Sequence, residues 1–287
     1  MAHARHTLQT LRAVADLRPP PQRFRYGRSG QQLCELHLPG GAGPHPVAVV
    51  LHGGYWRAAR TRRYMRPLCA DLARHGWAAW NVEYRRIGRR QGGGWPATFL
   101  DVASGIDYLA GLDAGLDLGR VAAVGHSAGG HLALWAAARD RLGASAPGSR
   151  PRVRIRAAVV AIAAVSDLEA NPQLSMPGEP VHELMGCAPG DAPDDRYRLA
   201  NPIRLLPLGA PILLVHGEAD ETVPVRRSRD FAARARAAGD SVTLTTPPAL
   251  THRAVVDPRR AAWREAVRWL TARGDRAAPE TVPQARP

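Results

Sequence analysis

Gly125-His126-Ser127-Ala128-Gly129 sets a serine between two glycines, where an apolar run (Val121–Val124) meets a helix-forming run (Leu132–Arg139). A strand that turns straight into a helix at a serine lifts the hydroxyl clear of the sheet, where it can attack a carbonyl carbon. The glycines flank it because a Cβ at either place would strike neighbouring backbone. A serine that merely caps a helix in a glycine-rich turn is the plain alternative. The strand pattern before it and the helix pattern after it favour the nucleophile.

Such a nucleophile needs a base, an acid to orient the base, and donors for the oxyanion. For a serine at a strand-to-helix turn the chain order is serine, acid, histidine. Of the eleven histidines, only His252 lies beyond the last acid site, in a short loop (Leu250-Thr251-His252-Arg253) between a strand and a helix. His52, His126, His131 and His216 sit near the same sheet edge and read as structural supports. Two strand-end carboxylates, Asp220 and Asp167, could hold the imidazole. Asp220 is favoured because it stands one strand and one loop before His252. Asp167 then opens an insertion, and Glu218 and Glu221 are solvated loop charges.

The oxyanion donors are expected upstream, where the apolar strand Val47–Leu51 runs into His52-Gly53-Gly54-Tyr55-Trp56. Consecutive small residues let backbone N–H groups point at a substrate oxygen, so Gly53, Gly54 and Tyr55 are candidates, completed by the N–H of Ala128. Trp56 is either a core aromatic or a pocket wall. Together with His126 it is expected to border the substrate pocket.

Elements must bring these residues to one edge. The chain reads as strands near 23–26 and 32–38, an antiparallel edge pair, followed by regular alternation. Strands fall at 47–51, 77–82, 121–126, 157–165, 212–216 and 241–246. Helices fall at 62–75, 97–112, 128–139, 225–238 and 259–272. Alternation of this kind predicts a mostly parallel central sheet with helices on both faces. Residues 168–204 break the pattern with Pro, Asp and Gly and a few apolar positions (Met176, Val181, Leu184, Met185). They are expected as a short cap above the active edge. Residues 1–22 read as an appended arm with a helix at Leu8–Leu17, residues 23–273 as the domain, and 274–287 as a polar, disordered tail.

Composition limits the alternatives. A chain of 287 residues suits one α/β domain. No run of eighteen apolar residues occurs, so no membrane span is expected. The first eighteen residues lack the apolar core of a secretory signal, which makes cytoplasm the default. A net charge of +14 invites a nucleic-acid-binding reading. All 39 basic residues, however, are arginine, spread along the whole chain. That reads as codon bias giving a solvated arginine surface, with no nucleic-acid partner expected. Cys34, Cys69 and Cys187 show no Cys-x-x-Cys spacing and read as free thiols. No phosphate loop, dinucleotide fingerprint or paired-histidine motif appears, so neither cofactor nor metal is implied.

The set His52-Gly53-Gly54-Tyr55-Trp56, Gly125–Gly130, His216-Gly217-x-x-Asp220 and His252 resembles the α/β-hydrolase superfamily. Within it the chain resembles bacterial esterases near the hormone-sensitive-lipase group and the arylformamidases (kynurenine formamidases), whose oxyanion motif is His-Gly-Gly-x-Trp. Asn81-Val82-Glu83-Tyr84-Arg85, Gly94-Trp95-Pro96-Ala97-Thr98 and Asp101 extend the likeness, which covers roughly residues 23–272. The hormone-sensitive-lipase group often has a third glycine where this chain has Tyr55, and a larger N-terminal cap. The resemblance implies an α/β-hydrolase fold and a serine hydrolase cleaving a small ester or amide through an acyl-enzyme, with Ser127, His252 and Asp220 as the triad. A prolyl-oligopeptidase-type peptidase and a non-catalytic ligand-binding relative are the alternatives, the second disfavoured by the intact triad. Oligomeric state is not legible.

Overall fold

The structure, a computed structural model, describes residues 20–274. The expected arm, with its helix at Leu8–Leu17, and the expected tail fall almost wholly outside those residues.

Eight strands form one sheet: β1 (Gln22–Arg25), β2 (Leu33–His37), β3 (His45–Leu51), β4 (Ala78–Val82), β5 (Leu116–His126), β6 (Ala158–Ile162), β7 (Ile212–Val215) and β8 (Val242–Thr245). Their order is β1-β2-β4-β3-β5-β6-β7-β8. Strands β3 to β8 run parallel, as alternation with helices requires. The expected antiparallel pair β1–β2 is present, and β2 goes further by pairing antiparallel with β4, Cys34 opposite Val82.

Alternation along each strand divides the core in two. Val47, Val49 and Leu51 of β3 face one layer, with Phe99, Leu132 and Phe231. Those partners come from α2 (Ala97–Asp107), α3 (Ala128–Ala137) and α6 (Arg226–Ala237). Ala48 and Val50 face the other, with Leu68, Leu72, Trp263 and Leu270, from α1 (Arg66–Arg74) and α7 (Ala261–Gly274). The helix expected at 62–75 begins as a 3₁₀ turn, Arg62–Met65, because Pro67 suits only a first helical turn. The helix expected at 97–112 likewise ends as a 3₁₀ turn over Tyr108–Gly111.

The strand expected at 157–165 stops at Ile162, since Ala163 takes a left-handed backbone (φ 45°). Residues 168–204 carry two short helices, α4 (Pro180–Met185) and α5 (Arg196–Ala200). Val181, Leu184 and Met185 are buried in the first core layer, whereas Met176 is 57% exposed. The segment is tied to α3, for His131 Nε2 donates to the Ala200 carbonyl (2.9 Å) and Trp135 Nε1 to the Leu199 carbonyl (3.0 Å).

One charged cluster is built into β2. Glu35 is fully buried and takes Arg62 (3.0 Å), Arg66 and Arg23 (3.4 Å). Burial works against its charge, but the Arg66 and Arg62 guanidiniums outweigh it and bring its pKa down to about 2. Removing the carboxylate while leaving the arginines in place strands buried cations. Glu35→Gln should therefore cost about 3–5 kcal/mol of stability, read as a lowered urea midpoint. A loss below about 1 kcal/mol would show the cluster to be solvated and weak.

Candidate active site

The turn after β5 is where the sequence places the nucleophile. Ser127 has φ 55° and ψ −120°, a conformation a residue with a Cβ rarely holds. It is fixed from both sides. Its N–H donates to the Ile162 carbonyl of β6 (2.8 Å), and its carbonyl accepts from the His131 N–H (3.0 Å). The flanking glycines are obligatory. A Cβ on Gly125 would stand 2.1 Å from the Gly129 carbonyl oxygen, and one on Gly129 would stand 2.1 Å from the Leu51 oxygen at the end of β3. The elbow is thereby pressed against the loop after β3.

That loop has its own left-handed run, with Gly54, Tyr55 and Trp56 at φ 115°, 54° and 57°. Gly53 packs directly on the elbow, where an added Cβ would lie 2.6 Å from the His126 carbonyl and 3.0 Å from Ser127 Cβ. Among the described residues, no backbone acceptor takes the N–H of Gly53, Gly54, Tyr55 or Ala128. These unpaired donors beside a serine are what a developing oxyanion requires. Beneath them His52 is stacked on Tyr84 (4.3 Å between rings) and wholly buried. Its Nε2 meets Glu83 Oε1 (2.8 Å) and its Nδ1 meets the Gly53 carbonyl (2.9 Å). These two contacts clamp the loop to the end of β4. Glu83 also accepts from the Arg62 N–H (3.0 Å), which joins the clamp to the Glu35 cluster. Burial opposes the Glu83 charge, yet His52 and Arg86 hold its carboxyl below the ordinary range.

His252 and Asp220 come together after β8 and β7. His252 Nδ1 donates to Asp220 Oδ2 at 2.7 Å, which leaves Nε2 to exchange a proton. The other oxygen of Asp220 accepts the N–H groups of Thr222 and Val223, each at 2.8 Å. His216 reaches Asp220 Oδ2 at 3.2 Å through Nε2, while its Nδ1 faces Ser228 Oγ (2.7 Å). Burial opposes ionisation of Asp220, but the bonds from His216, His252 and Val223 prevail and keep it far below the usual carboxylate range. Asp167 is occupied elsewhere: its Oδ1 accepts from Asn201 Nδ2 (2.8 Å) and the Glu169 N–H (3.0 Å). Glu218 pairs with Arg229 and Glu221 is exposed.

One of the two side chains expected at the pocket lies elsewhere. Trp56 is completely buried, edge-on to His131 at 5.3 Å, so its indole is core and not wall. His126 is 3% exposed. Its Nε2 donates to the His252 carbonyl (2.9 Å) and its ring lies 4.7 Å from the His252 ring. The sequence did not single out Glu83, Tyr64 or Arg60 as neighbours of the site. Tyr64 stands 5.7 Å from the His126 ring.

Sheet order and the strand-to-helix turn after β5 define an α/β-hydrolase fold. The chain belongs to the BD-FAE family, whose model matches residues 34–234. It is 30% identical to Esterase LipQ of Mycobacterium tuberculosis (strain H37Rv) over 200 residues, 68% of this chain and 46% of that protein. It is 31% identical to Esterase LipC of the same organism over 233 residues, 77% and 56% respectively. The chain thus spans about half the length of the curated relatives it matches. Among solved structures, Esterase B from Lactobacillus rhamnosis superposes with a TM-score of 0.76 at 22% identity, covering 95% of this chain and 93% of that one. A truncated carbohydrate esterase from gut microbiota superposes with a TM-score of 0.75 at 21% identity, covering 89% and 97%. No described helix is long and apolar enough to cross a membrane.

Three buried histidines make the fold sensitive to mild acid. Burial, above all, lowers His126 to about 3, with the adjacent His252 adding to it, and lowers His131 and His37 to about 4. The unfolded chain binds protons at all three near pH 6.5, and the folded chain refuses them. Stability is therefore full above about pH 6.5 and falls as pH drops toward 4, by at most about 4 kcal/mol per unit for the three together. Urea midpoints measured between pH 7 and pH 5 should fall in this way, and His131→Gln should flatten the slope by about a third. A midpoint constant over that range would show that these rings protonate freely in the folded state.

Proposed function

We propose that the protein is a serine carboxylesterase acting on small esters, with Ser127 as nucleophile, His252 as general base and Asp220 as its orienting acid. The observation that carries this reading is the 2.7 Å bond from His252 Nδ1 to Asp220, in a loop whose His252 carbonyl accepts from His126, the residue before the strained Ser127. His252 Nε2 takes the Ser127 proton as Oγ attacks the ester carbonyl. The N–H groups of Gly53, Gly54, Tyr55 and Ala128 receive the oxyanion. Collapse transfers the proton to the departing alcohol oxygen and leaves an acyl-serine. Water, deprotonated by His252, then releases the acid.

The esterase names of LipQ and LipC favour an ester over an amide. The His-Gly-Gly-x-Trp likeness to formamidases does not weigh against this. Trp56 is a core residue, so the motif reports the shape of the loop and not the substrate. Short acyl groups suit the compact segment over the site. The esterase from Thermogutta terrifontis, 24% identical to this chain, was solved with propionate bound. A soluble cytoplasmic enzyme without a nucleic-acid partner is part of the same proposal.

Ser127→Ala should lower turnover of p-nitrophenyl acetate by about a millionfold, and a fluorophosphonate probe should label only the wild type. Equal labelling of the Ala variant would sink the assignment. Asp220→Asn should cost roughly a thousandfold or more in kcat through the wrong imidazole tautomer, whereas Asp167→Asn should cost far less. Across acetate, butyrate and octanoate esters, kcat/KM is expected to peak at the short end. A steady rise through octanoate would mark a lipase-like site instead.

A further inference from the structure

The arginines around the site are mostly matched to acids. Arg57 pairs with Glu183 (2.8 Å), Arg62 and Arg66 with Glu35, Arg85 with Asp101 (2.8 Å), and Arg86 with Glu83 (3.7 Å). Arg60 and Arg253 are different: among the described residues neither forms an ion pair. Their places matter. The stem of Arg60 lies over the oxyanion loop, its Cβ and Cγ 2.6 Å from where a Gly54 Cβ would stand. Its guanidinium sits 5.4 Å above the Tyr64 ring. Tyr64 leads to His126 (5.7 Å between rings), and His126 to His252 (4.7 Å). Arg253 follows His252 directly and is exposed. Burial raises the Tyr64 hydroxyl to about 12, and the charges of Arg60 and Arg253 both oppose that rise, so both fields reach this ring.

Acids stand near Arg57 and Tyr55. Glu183 is held by Arg57, and Asp220 and Glu179 act on Tyr55. The side of the site on which His252 stands is also the side from which the alcohol departs, because His252 Nε2 must hand that oxygen its proton.

We propose that Arg60, Tyr64 and Arg253 form a cationic, aromatic rim on the leaving-group side, and that the protein selects esters whose alcohol or phenol portion bears a carboxylate. The inference rests on the ester-hydrolase reading. A carboxylate on the departing portion would meet guanidiniums that hold no acid partner, so the cations lose none on binding. Acyl-enzyme formation is the step that gains, since the charged portion leaves before water attacks.

The test compares para-acetoxybenzoate with para-acetoxybenzamide, which deliver the same acetyl group and differ in the charge on the phenol. The carboxamide withdraws electrons more strongly, so intrinsic reactivity favours the neutral ester. We expect kcat/KM nonetheless to favour the carboxylate by about tenfold at low salt, and the advantage to shrink as ionic strength rises from about 0.01 to 1 M. In Arg60→Gln/Arg253→Gln the ratio should fall toward one, and in Arg60→Glu/Arg253→Glu it should invert. The salt series needs only the wild type and stands even where a variant folds poorly. A wild type that hydrolyses neither ester would overturn the esterase reading itself. Hydrolysis of the neutral ester with no carboxylate preference, or a preference that survives both double variants, would overturn this inference alone.

Discussion

Everything at the active edge depends on a backbone held where a side chain is unwelcome. Ser127 occupies left-handed space at a cost of about 1–2 kcal/mol. It does not do so alone. Tyr55 and Trp56 after β3 and Ala163 after β6 are also left-handed, and β3, β5 and β6 are neighbours in the sheet. Three adjacent strands therefore end in strained turns on one edge. Such strain persists only where packing overdetermines it. Here the Leu51, His126 and Ile162 carbonyls, the ends of those same three strands, crowd or bond to one another's turns. Relaxing one turn would require moving the next.

Electrostatics then sets the direction in which protons can move. Asp220 receives donors on both oxygens and has no need of a proton of its own. In the proposed mechanism its charge would stabilise an imidazolium at His252 without taking its proton. On the other flank, Glu83 lies against His52 under the loop after β3, and Arg62 links it to Glu35 on β2. Buried pairs of this kind are weak contributors to net stability and strong constraints on geometry, because breaking one partner leaves the other uncompensated. The donor loop is fixed by charge beneath and by glycine contacts beside.

What the sequence makes legible here is whatever rests on local pattern. Alternating apolar runs identify the parallel strands, the glycines around Ser127 identify the elbow, and strand order leaves few positions for Asp220 and His252. Contacts between distant residues leave no such trace. An aromatic after a glycine pair reads the same whether it lines a pocket or, like Trp56, fills the core against His131. His126 adjoins Ser127 in sequence, but spacing does not show that its ring bonds to the His252 backbone across 126 residues. The antiparallel pairing of β2 with β4 and the arginine cluster on Glu35 arise from topology, which spacing does not encode. The extension of β5 back to Leu116 is similar: its first residues pair with His45 and Pro46 and lack an apolar run.

The segment 168–204 shows how a variable element can sit on a fixed one. The domain's own side chains and backbone reach for its carbonyls: His131 for Ala200, Trp135 for Leu199, and the Trp95 N–H for Leu184 at 2.6 Å. Bonds to main-chain oxygens do not depend on which side chain the segment carries. Val181 and Leu184 add apolar anchorage, while Met176 and its neighbours stay exposed. Substitutions in the exposed stretch can therefore be made without disturbing the turns that hold Ser127. The turns around Ser127 and the exposed stretch of 168–204 are supported by separate contacts, so the one can be kept while the other varies.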